Sequence, residues 1–346
     1  MRIVHLLLTS RFAGSERYAI ELAAAQADVG HDVTLLLRRA ALADRPDAPG
    51  RHVPAGLAVV AVPDWLHGWH ARRWLRRHRP EVAHAHLSAA CKALRGVTGM
   101  ARVATLHIAY RPRQHAHLDG LIAITPAQLE ALPTDFAGQR VHVDNWTRAQ
   151  AAAVGARVRL RAMLGIDDGV HLLGTLGRVE PSKGHDLLLE AFAAAGFDQR
   201  VQLVVVGGGS ALEGLRRRAP RGVHFVGFST EPAGWLAAMD GFVSAARSEP
   251  FGLVFLEAMA AGLPILATDT EGGRHLGPRF GTPLVPTGDA PALAAGLRAF
   301  VGSGLERRAY AMGEFSIEAQ RPRVEDFYRR VLDTALRRVT AASTGV

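Results

Sequence analysis

Residues 248–269 read SEPFGLVFLEAMAAGLPILATD. Two acids, Glu249 and Glu257, stand in this stretch with seven residues between them, in different local settings. Glu249 precedes Pro250-Phe251-Gly252, a turn in which Gly252 lets the backbone approach a ligand closely. The turn opens a helix whose apolar run begins at Leu253 and which carries Glu257 about one turn in. The first amides of such a helix face outward and favour a sugar or phosphate. A carboxylate one turn inside, or just before the turn, can accept bonds from hydroxyls of a ligand held there. The alternative makes both acids solvated surface groups. A Glu inside FLEAMAAGLPILA argues against that, because a carboxylate in apolar surroundings needs partners.

Outward from this stretch the chain alternates strand and helix. Ahead of it come HLLGTLGRV (171–179), a helix over 185–195, VQLVVVGGG (201–209), VHFVGF (223–228) and GFVSAA (241–246); PILATD (264–269) and TPLVP (282–286) follow. The other half begins with RIVHLLL, a Gly-containing loop RFAGSERYA, a helix through AIELAAAQADVG and the strand HDVTLLL. It continues with AVVAV (58–62), EVAHAH (81–86), VATLHI (103–108), GLIAIT (120–125) and RVHVD (140–144). Such an order predicts α/β architecture with doubly wound sheets. Asn145-Trp146-Thr147 reads as the end of the first domain, and VEDFYRRVLDTALRRV as an Arg-rich terminal helix with fraying over TAASTGV.

The 346 residues suggest two domains, each with ample core. A formal charge of +9 favours anionic partners such as nucleotide diphosphates or anionic lipid. Arg supplies nearly all of it, since Lys occurs only at Lys92 and Lys183. Cys91 is the single cysteine, which excludes an intrachain disulfide and fits a reducing compartment. The start, MRIVHLLLTSRFAG, lacks the pattern of a signal peptide, and no apolar run is long enough to span a bilayer. A cytoplasmic protein, soluble or lying on a membrane, is expected.

GRVEPSKGHDLLLEAF (177–192) carries two cations, Arg178 and Lys183, where a strand ends and before the next helix begins. Open α/β sheets bind ligands at such carboxyl ends. Two cations at such an end suit an anionic ligand such as a phosphate, and stabilise negative charge that develops there. LVVVGGGS (203–210) suggests a dinucleotide fingerprint, but Leu212 stands where a small residue is required, so these glycines make a tight strand-to-loop turn.

The order of acid, Pro-Phe-Gly turn, acid in an apolar helix, Gly-Leu-Pro and apolar strand in 248–269 resembles the donor-sugar signature of retaining GT-B glycosyltransferases of family 4. GRVEPSKGHDLLLEAF resembles that family's phosphate-binding segment, and AGSERYAIELA (13–23) its Gly-rich acceptor loop. The resemblance implies two Rossmann-like domains facing a central cleft, closing on the donor. Residues 1–147 would bind acceptor, 148–320 nucleotide sugar, and a helix over 321–346 would cross back to the first domain. It implies Glu249, His107, Arg178 and Lys183 as catalytic residues, with Gly14, Val226, Phe251, Gly252, Leu253 and Glu257 joining the two cations around the donor. The base pocket would lie around Val226 to Ser229, and Ser15, Glu16 and His86 would meet the acceptor. His84 and His86, in HAH (84–86), also match, although one of them can simply cap its strand.

What the resemblance implies chemically is transfer from an NDP-sugar, UDP- or GDP-linked, to a hydroxyl of a cell-envelope glycan or glycolipid such as lipopolysaccharide. Neither cofactor nor metal is expected: Asp-x-Asp, a Cys pair and an ordered His/Glu ligand set are all missing from the sequence pattern. Glu271-Gly272-Gly273-Arg274 departs from the family, which has a Glu soon after the glycines, and this bears on sugar identity. Two other readings are a GT-B enzyme of another reaction, a nucleotide-sugar epimerase or phosphorylase, and a non-catalytic nucleotide-sugar-binding subunit.

DWLHGWHARRWLRRHRP (64–80) reads as a helix with Ala71, Trp74, Leu75 and His78 on an inner face. Trp65, Trp69, Arg72, Arg73 and Arg76 fall opposite, a membrane-interface pattern that an ordinary solvated helix can also produce. No nucleic-acid motif accompanies it, so nucleic acid is not expected as a partner.

Overall fold

The computed structural model describes residues 1–148 and 150–344, with side chains described through residue 334 apart from Ala149. The chain forms two units, one of Met1–Trp146 plus the segment from Glu314 onward, the other of Thr147–Gly313.

In the first unit the order is β1 (Arg2–Leu7), α1 (Gly14–Asp28), β2 (Asp32–Arg38), β3 (Ala58–Val62), α2 (His67–His78), β4 (Val82–His86) and α3 (Leu87–Ala93). Next come β5 (Ala101–Leu106), a one-turn α4 (Pro112–His115), β6 (Gly120–Ala123), α5 (Pro126–Glu130) and β7 (Gln139–His142). The strands pair in parallel in the order β3-β2-β1-β4-β5-β6-β7, reversing direction of growth at β1, as a doubly wound sheet does.

Both faces are covered, so the strands are near-continuous apolar runs. One face packs Ile3, Leu7, Leu35 and Val103 against Tyr18 and Leu22 of α1. The other packs Val4, Leu6 and Ala83 against Ala71 and Leu75 of α2 and Ala90 and Cys91 of α3. Trp146 closes the unit by stacking near Tyr18 and donating from its indole nitrogen to Glu21 at 2.8 Å. Helix α1 starts at Gly14, so Ser15 and Glu16 belong to its first turn and not to the loop expected for RFAGSERYA.

The second unit runs α6 (Ala156–Met163), β8 (His171–Leu176), α7 (His185–Ala195), β9 (Val201–Val206), α8 (Leu212–Arg216), β10 (Val223–Gly227) and α9 (Pro232–Ala238). It continues with β11 (Gly241–Ser244), α10 (Leu253–Ala260), β12 (Ile265–Ala267), α11 (Glu271–Leu276) and α12 (Ala290–Gly302). Its parallel sheet has the order β10-β9-β8-β11-β12. The strand expected at 282–286 is reduced to a single bridge between Thr268 and Val285. Its two prolines, Pro283 and Pro286, lack the N–H that a longer ladder requires.

The last helix, α13 (Ile317–Thr344), returns to the first unit, where Val324, Phe327, Tyr328 and Val331 are buried in the core that holds Ile3 and Leu7. Residues 345 and 346, the tip of the segment expected to fray, lie outside the described residues. Truncating a buried aromatic leaves a cavity, so Phe327→Ala should cost about 3–5 kcal/mol. Urea unfolding followed by limited proteolysis should show the loss in fragments of the first unit and leave 171–302 as resistant as in wild type; equal weakening of both units would contradict this assignment of α13.

Candidate active site

In the second unit the carboxyl ends of β8 and β11 carry the residues singled out from sequence. Beyond β8 comes Arg178, with its side chain 61% exposed and Nη1 donating to Glu180 Oε1 at 2.8 Å. The chain then makes one 3₁₀ turn over Pro181–Lys183 before α7. Lys183 Nζ donates to Glu249 Oε2 at 2.5 Å, and both side chains are largely buried. The cation of one motif therefore meets the acid of the other.

Two further contacts fix that meeting. Gly184 has φ +66, and a Cβ there would lie 1.9 Å from the carbonyl oxygen of Ala245, so no other residue fits between α7 and the end of β11. Arg247 grips Asp186 with both guanidinium arms, at 2.7 and 2.8 Å, and also donates to the Pro181 carbonyl. The backbone amides of Arg247 and Ser248 both donate to Ser182 O. The bond from Arg247 holds the Asp186 carboxyl below the usual carboxylate range. This clamp is not legible in the sequence, because Asp186 and Arg247 each look like ordinary surface charges until the strands are paired.

Glu249 is held from the other side as well. Its carbonyl accepts from Gly272 N at 2.8 Å, and a Cβ on Gly272 would come within 2.2 Å of the Phe251 carbonyl. The glycines in the departing Glu271-Gly272-Gly273-Arg274 segment thus seat the acidic loop, while Arg274 pairs with Asp269 at 3.1 Å. Phe251 is buried, Gly252 is the N-cap of α10, and Leu253 begins the helix. Glu257 is partly buried one turn in, and it is engaged with the protein. Val226 is skipped where β10 slips register against β9, and Phe228 beyond it is 69% exposed, an aromatic the sequence reading did not single out. The glycines after β9 pack back on the Arg178 segment, with Val179 N donating to Gly208 O at 2.8 Å.

The first unit gathers a different group. His5 of β1, His84 and His86 of β4 and His107 after β5 lie side by side, the first three fully buried and His107 partly exposed. His5 Nε2 is 2.8 Å from Gln26 Oε1, His5 Nδ1 is 3.0 Å from His86 Nε2, and His86 Nδ1 is 3.2 Å from His107 Nε2. His84 bonds Tyr328 OH through Nδ1 and Thr105 Oγ1 through Nε2. Burial disfavours the imidazolium form throughout: the His5 pKa falls to about 4, that of His107 to about 3, and His84 and His86 are well below the ordinary value.

Burial in this unit corrects two expectations. His86 cannot meet an acceptor, because it is fully buried and both ring nitrogens are engaged. Glu16 is buried too, and its Oε2 accepts from Ala13 N at 3.1 Å and Ser15 Oγ at 2.9 Å, so it caps α1, with Gly14 and Ser15 partly exposed beside it. His5, His84 and His86 also offer ligand atoms within 4.8 Å of one another. They lie on strands far apart in the chain, and their nitrogens are bonded to protein partners, so a metal would have to displace those bonds.

On the outside of the same unit, Ala71 and Leu75 of α2 face the core with Trp74 packed partly against it. His78 is exposed, stacked on the Trp74 ring at 4.0 Å, and not part of the inner face. Trp65, Leu66 and Trp69 are exposed, and the Arg73 guanidinium lies 5.8 Å from the Trp69 ring centre. Arg72 and Arg76 turn toward α3 and the loop after it, donating to Ala93 O at 3.3 Å and Gly96 O at 3.0 Å.

Two family models divide this chain: "Glycosyltransferase Family 4" over residues 12–161 and "Glycosyl transferases group 1" over 170–302. The phosphatidyl-myo-inositol mannosyltransferase of Mycobacterium leprae is 31% identical over 338 residues, covering 86% of each chain. The lipopolysaccharide core biosynthesis glycosyltransferase LpsD of Rhizobium meliloti is 27% identical, covering 86% of this chain and 87% of its own. Anabaena Alr3699/HepE, solved with UDP and glucose, superposes with a TM-score of 0.72 at 18% identity over the whole of both chains. The chain belongs to the family 4 glycosyltransferases and has the GT-B fold, with two Rossmann-like units.

The histidine cluster sets a pH limit on the first unit. A histidine held neutral in the fold with a pKa near 4, against 6.5 unfolded, binds its proton only on unfolding between those values. Stability contributed by the neutral form is therefore full above pH ~6.5 and is lost as pH falls toward the folded pKa, by up to about 1.4 kcal/mol per pH unit per histidine. Thermal melts between pH 7.5 and 4.5 should show a falling midpoint for the first unit, and His5→Asn should flatten the slope. A midpoint independent of pH over this range would contradict the assignment.

Proposed function

We propose that this glycosyltransferase is a metal-independent hexosyltransferase that moves a sugar from a UDP- or GDP-sugar to a hydroxyl of a cell-envelope glycan or glycolipid, with retention at the anomeric carbon. The observation that carries the reading is the Lys183–Glu249 contact. An ammonium has three donor protons, and Glu249 takes one, so Lys183 can reach phosphate oxygens while steadying an acid that faces sugar hydroxyls. Arg178 keeps most of its fork after its exposed pairing with Glu180, which is worth little in water. When the sugar–phosphate bond breaks, the electron pair leaves with the diphosphate, and both cations stabilise it there.

The rest of the second unit fits a nucleotide. Leu253 and the neighbouring amides at the start of α10 suit a phosphate or sugar, and Glu257 one turn in suits a ribose. Exposed Phe228 beside Val226 suits a base, since stacking on an aromatic contributes about 1–3 kcal/mol. In the first unit, Gly14, Ser15 and His107 are the partly exposed groups suited to the acceptor or the transferred sugar. HepE's complex with UDP and glucose supports a UDP-sugar, and relatives named for lipopolysaccharide core and for phosphatidyl-myo-inositol support an envelope acceptor.

Arg178→Ala or Lys183→Ala should lower turnover by about 10²–10³, the scale of losing one charge-stabilising donor. Glu257→Ala should instead weaken the bare nucleoside diphosphate, measured by calorimetry, and Glu249→Ala should spare that affinity while damaging transfer. EDTA should leave activity intact. Wild-type turnover in both cation variants, or an absolute demand for Mn²⁺, would defeat the mechanism.

A place at the cytoplasmic face of a membrane fits the exposed Trp65-Leu66 pair, Trp69 and the arginines of α2, and no helix among the described residues is long and apolar enough to cross a bilayer. Arg72 and Arg76 also cap backbone carbonyls yet keep their charge, so with exposed Arg73 and Arg77 they attract anionic lipid. Wild-type protein should sediment with vesicles rich in anionic lipid at low salt and release as salt rises, since exposed charges are screened over about 8 Å at physiological ionic strength. Trp65→Ser with Trp69→Ser, or Arg73→Glu with Arg77→Glu, should abolish sedimentation. Indifference of the wild type to such vesicles would make α2 an ordinary solvated face.

A further inference from the structure

The buried histidine chain begins at one amide. With its single proton directed at Tyr18 OH, 3.3 Å away, Thr105 Oγ1 accepts from His84 Nε2–H at 2.8 Å. A neutral imidazole has one N–H, so His84 Nδ1 is bare and accepts the proton of Tyr328 OH. The Tyr328 oxygen is then an acceptor only. Gln26 Nε2 is buried with no hydrogen-bond partner, and the Gln26 side chain favours the ionised form of Tyr328, as an N–H turned toward that oxygen does. Turning the amide over would put Gln26 Oε1 against the Tyr328 lone pairs, so Oε1 stays on His5.

With Gln26 Oε1 facing His5, the proton pattern along the rings follows. His5 Nε2–H donates to Gln26 Oε1, which leaves His5 Nδ1 to accept from His86 Nε2–H. His86 Nδ1 in turn accepts from His107 Nε2–H. Burial keeps all of these rings neutral, so no second proton blurs the pattern. His107 is the only partly exposed ring of the four, and among the described residues no side chain bonds its Nδ1.

We propose that the Gln26 amide sets the tautomers of His5, His86 and His107 in series, so that His107 presents a bare Nδ1 as hydrogen-bond acceptor to a hydroxyl of the substrate. Gln26, His5 and His86 are positioning residues; His107 is the group that touches. The choice of a hydroxyl rests on the glycosyl-transfer reading above, whereas the tautomer pattern does not. The sequence puts these residues on α1, β1, β4 and the end of β5, and only the β1–β4 pairing, which sets His5 opposite His84, brings them together. A partner that fixes which ring nitrogen is bare decides what an imidazole can do.

The test uses the full chain labelled with ¹⁵N-histidine, with long-range ¹H–¹⁵N spectra at pH 7.5 assigned by single histidine substitutions. The wild type should show protonated Nε2 and bare Nδ1 at His5, His86 and His107. Gln26→Leu should give a mixture of tautomers at His107 and lower kcat by about tenfold or more with donor KM unchanged, as a misplaced tautomer does elsewhere. Gln26→Glu keeps an acceptor oxygen and should restore a single tautomer and most of the kcat. A proton on His107 Nδ1 in the wild type overturns the proposal, as does an unchanged His107 spectrum in Gln26→Leu. If Gln26→Leu does not fold, the wild-type spectrum alone decides. The expected tautomers in a chain that transfers no sugar from any nucleotide sugar would defeat the functional reading and not this one.

Discussion

Lys183 and Glu249 hold each other in a largely buried contact, and the arrangement of the second unit follows from the need to keep them there. A charge withdrawn from water must be paired and anchored, since an uncompensated partner would cost several kcal/mol. The anchoring is built from backbone as much as from side chains. Gly184 lets the Lys183 turn press on the end of β11, Ser182 O accepts from two amides of the Arg247 loop, and Gly272 fastens the carbonyl of Glu249. The Arg247–Asp186 fork, more exposed, adds direction more than energy. A pair held by so many fixed groups is preorganised, which is the property that electrostatic stabilisation of developing charge requires.

The first unit solves a different problem with the same sheet. Its central strands carry histidines where apolar residues would be the simplest filling, and each buried ring nitrogen of His5, His84 and His86 finds a partner. Such a network rigidifies when fully satisfied and is costly when broken. Helix α13 belongs to it, because Tyr328 supplies the hydroxyl that bonds His84. The C-terminal helix therefore contributes a polar partner as well as Phe327 and Val331 to the core.

Backbone strain marks the same region. Leu87, directly after the β4 strand that ends in His86, has φ +65, a conformation that costs a non-glycine residue about 1–3 kcal/mol. It begins α3, whose end accepts the arginines of α2, so the exposed tryptophan face and the histidine strand are joined through one short helix.

By itself the sequence determined a great deal. Apolar runs of four to seven residues separated by helical segments specify parallel strands covered on both faces, because such strands carry no alternation. The order of Pro-Phe-Gly, Glu257 and Gly-Leu-Pro specifies a turn, a helix and a strand through purely local chemistry, and α7 and α10 lie where those local signals put them. What the sequence left open depends on pairing between distant segments. Pro283 and Pro286 reduce an apolar run to one bridge, a ladder effect invisible to hydropathy. Arg72 and Arg76 look like free surface cations until the end of α3 arrives beside them. Glu16 and His86 look like ligands until burial uses their polar atoms for a helix start and a ring chain. Local order fixes which element a residue joins, but only the strand register decides which polar atoms are spent inside the protein and which remain for a substrate.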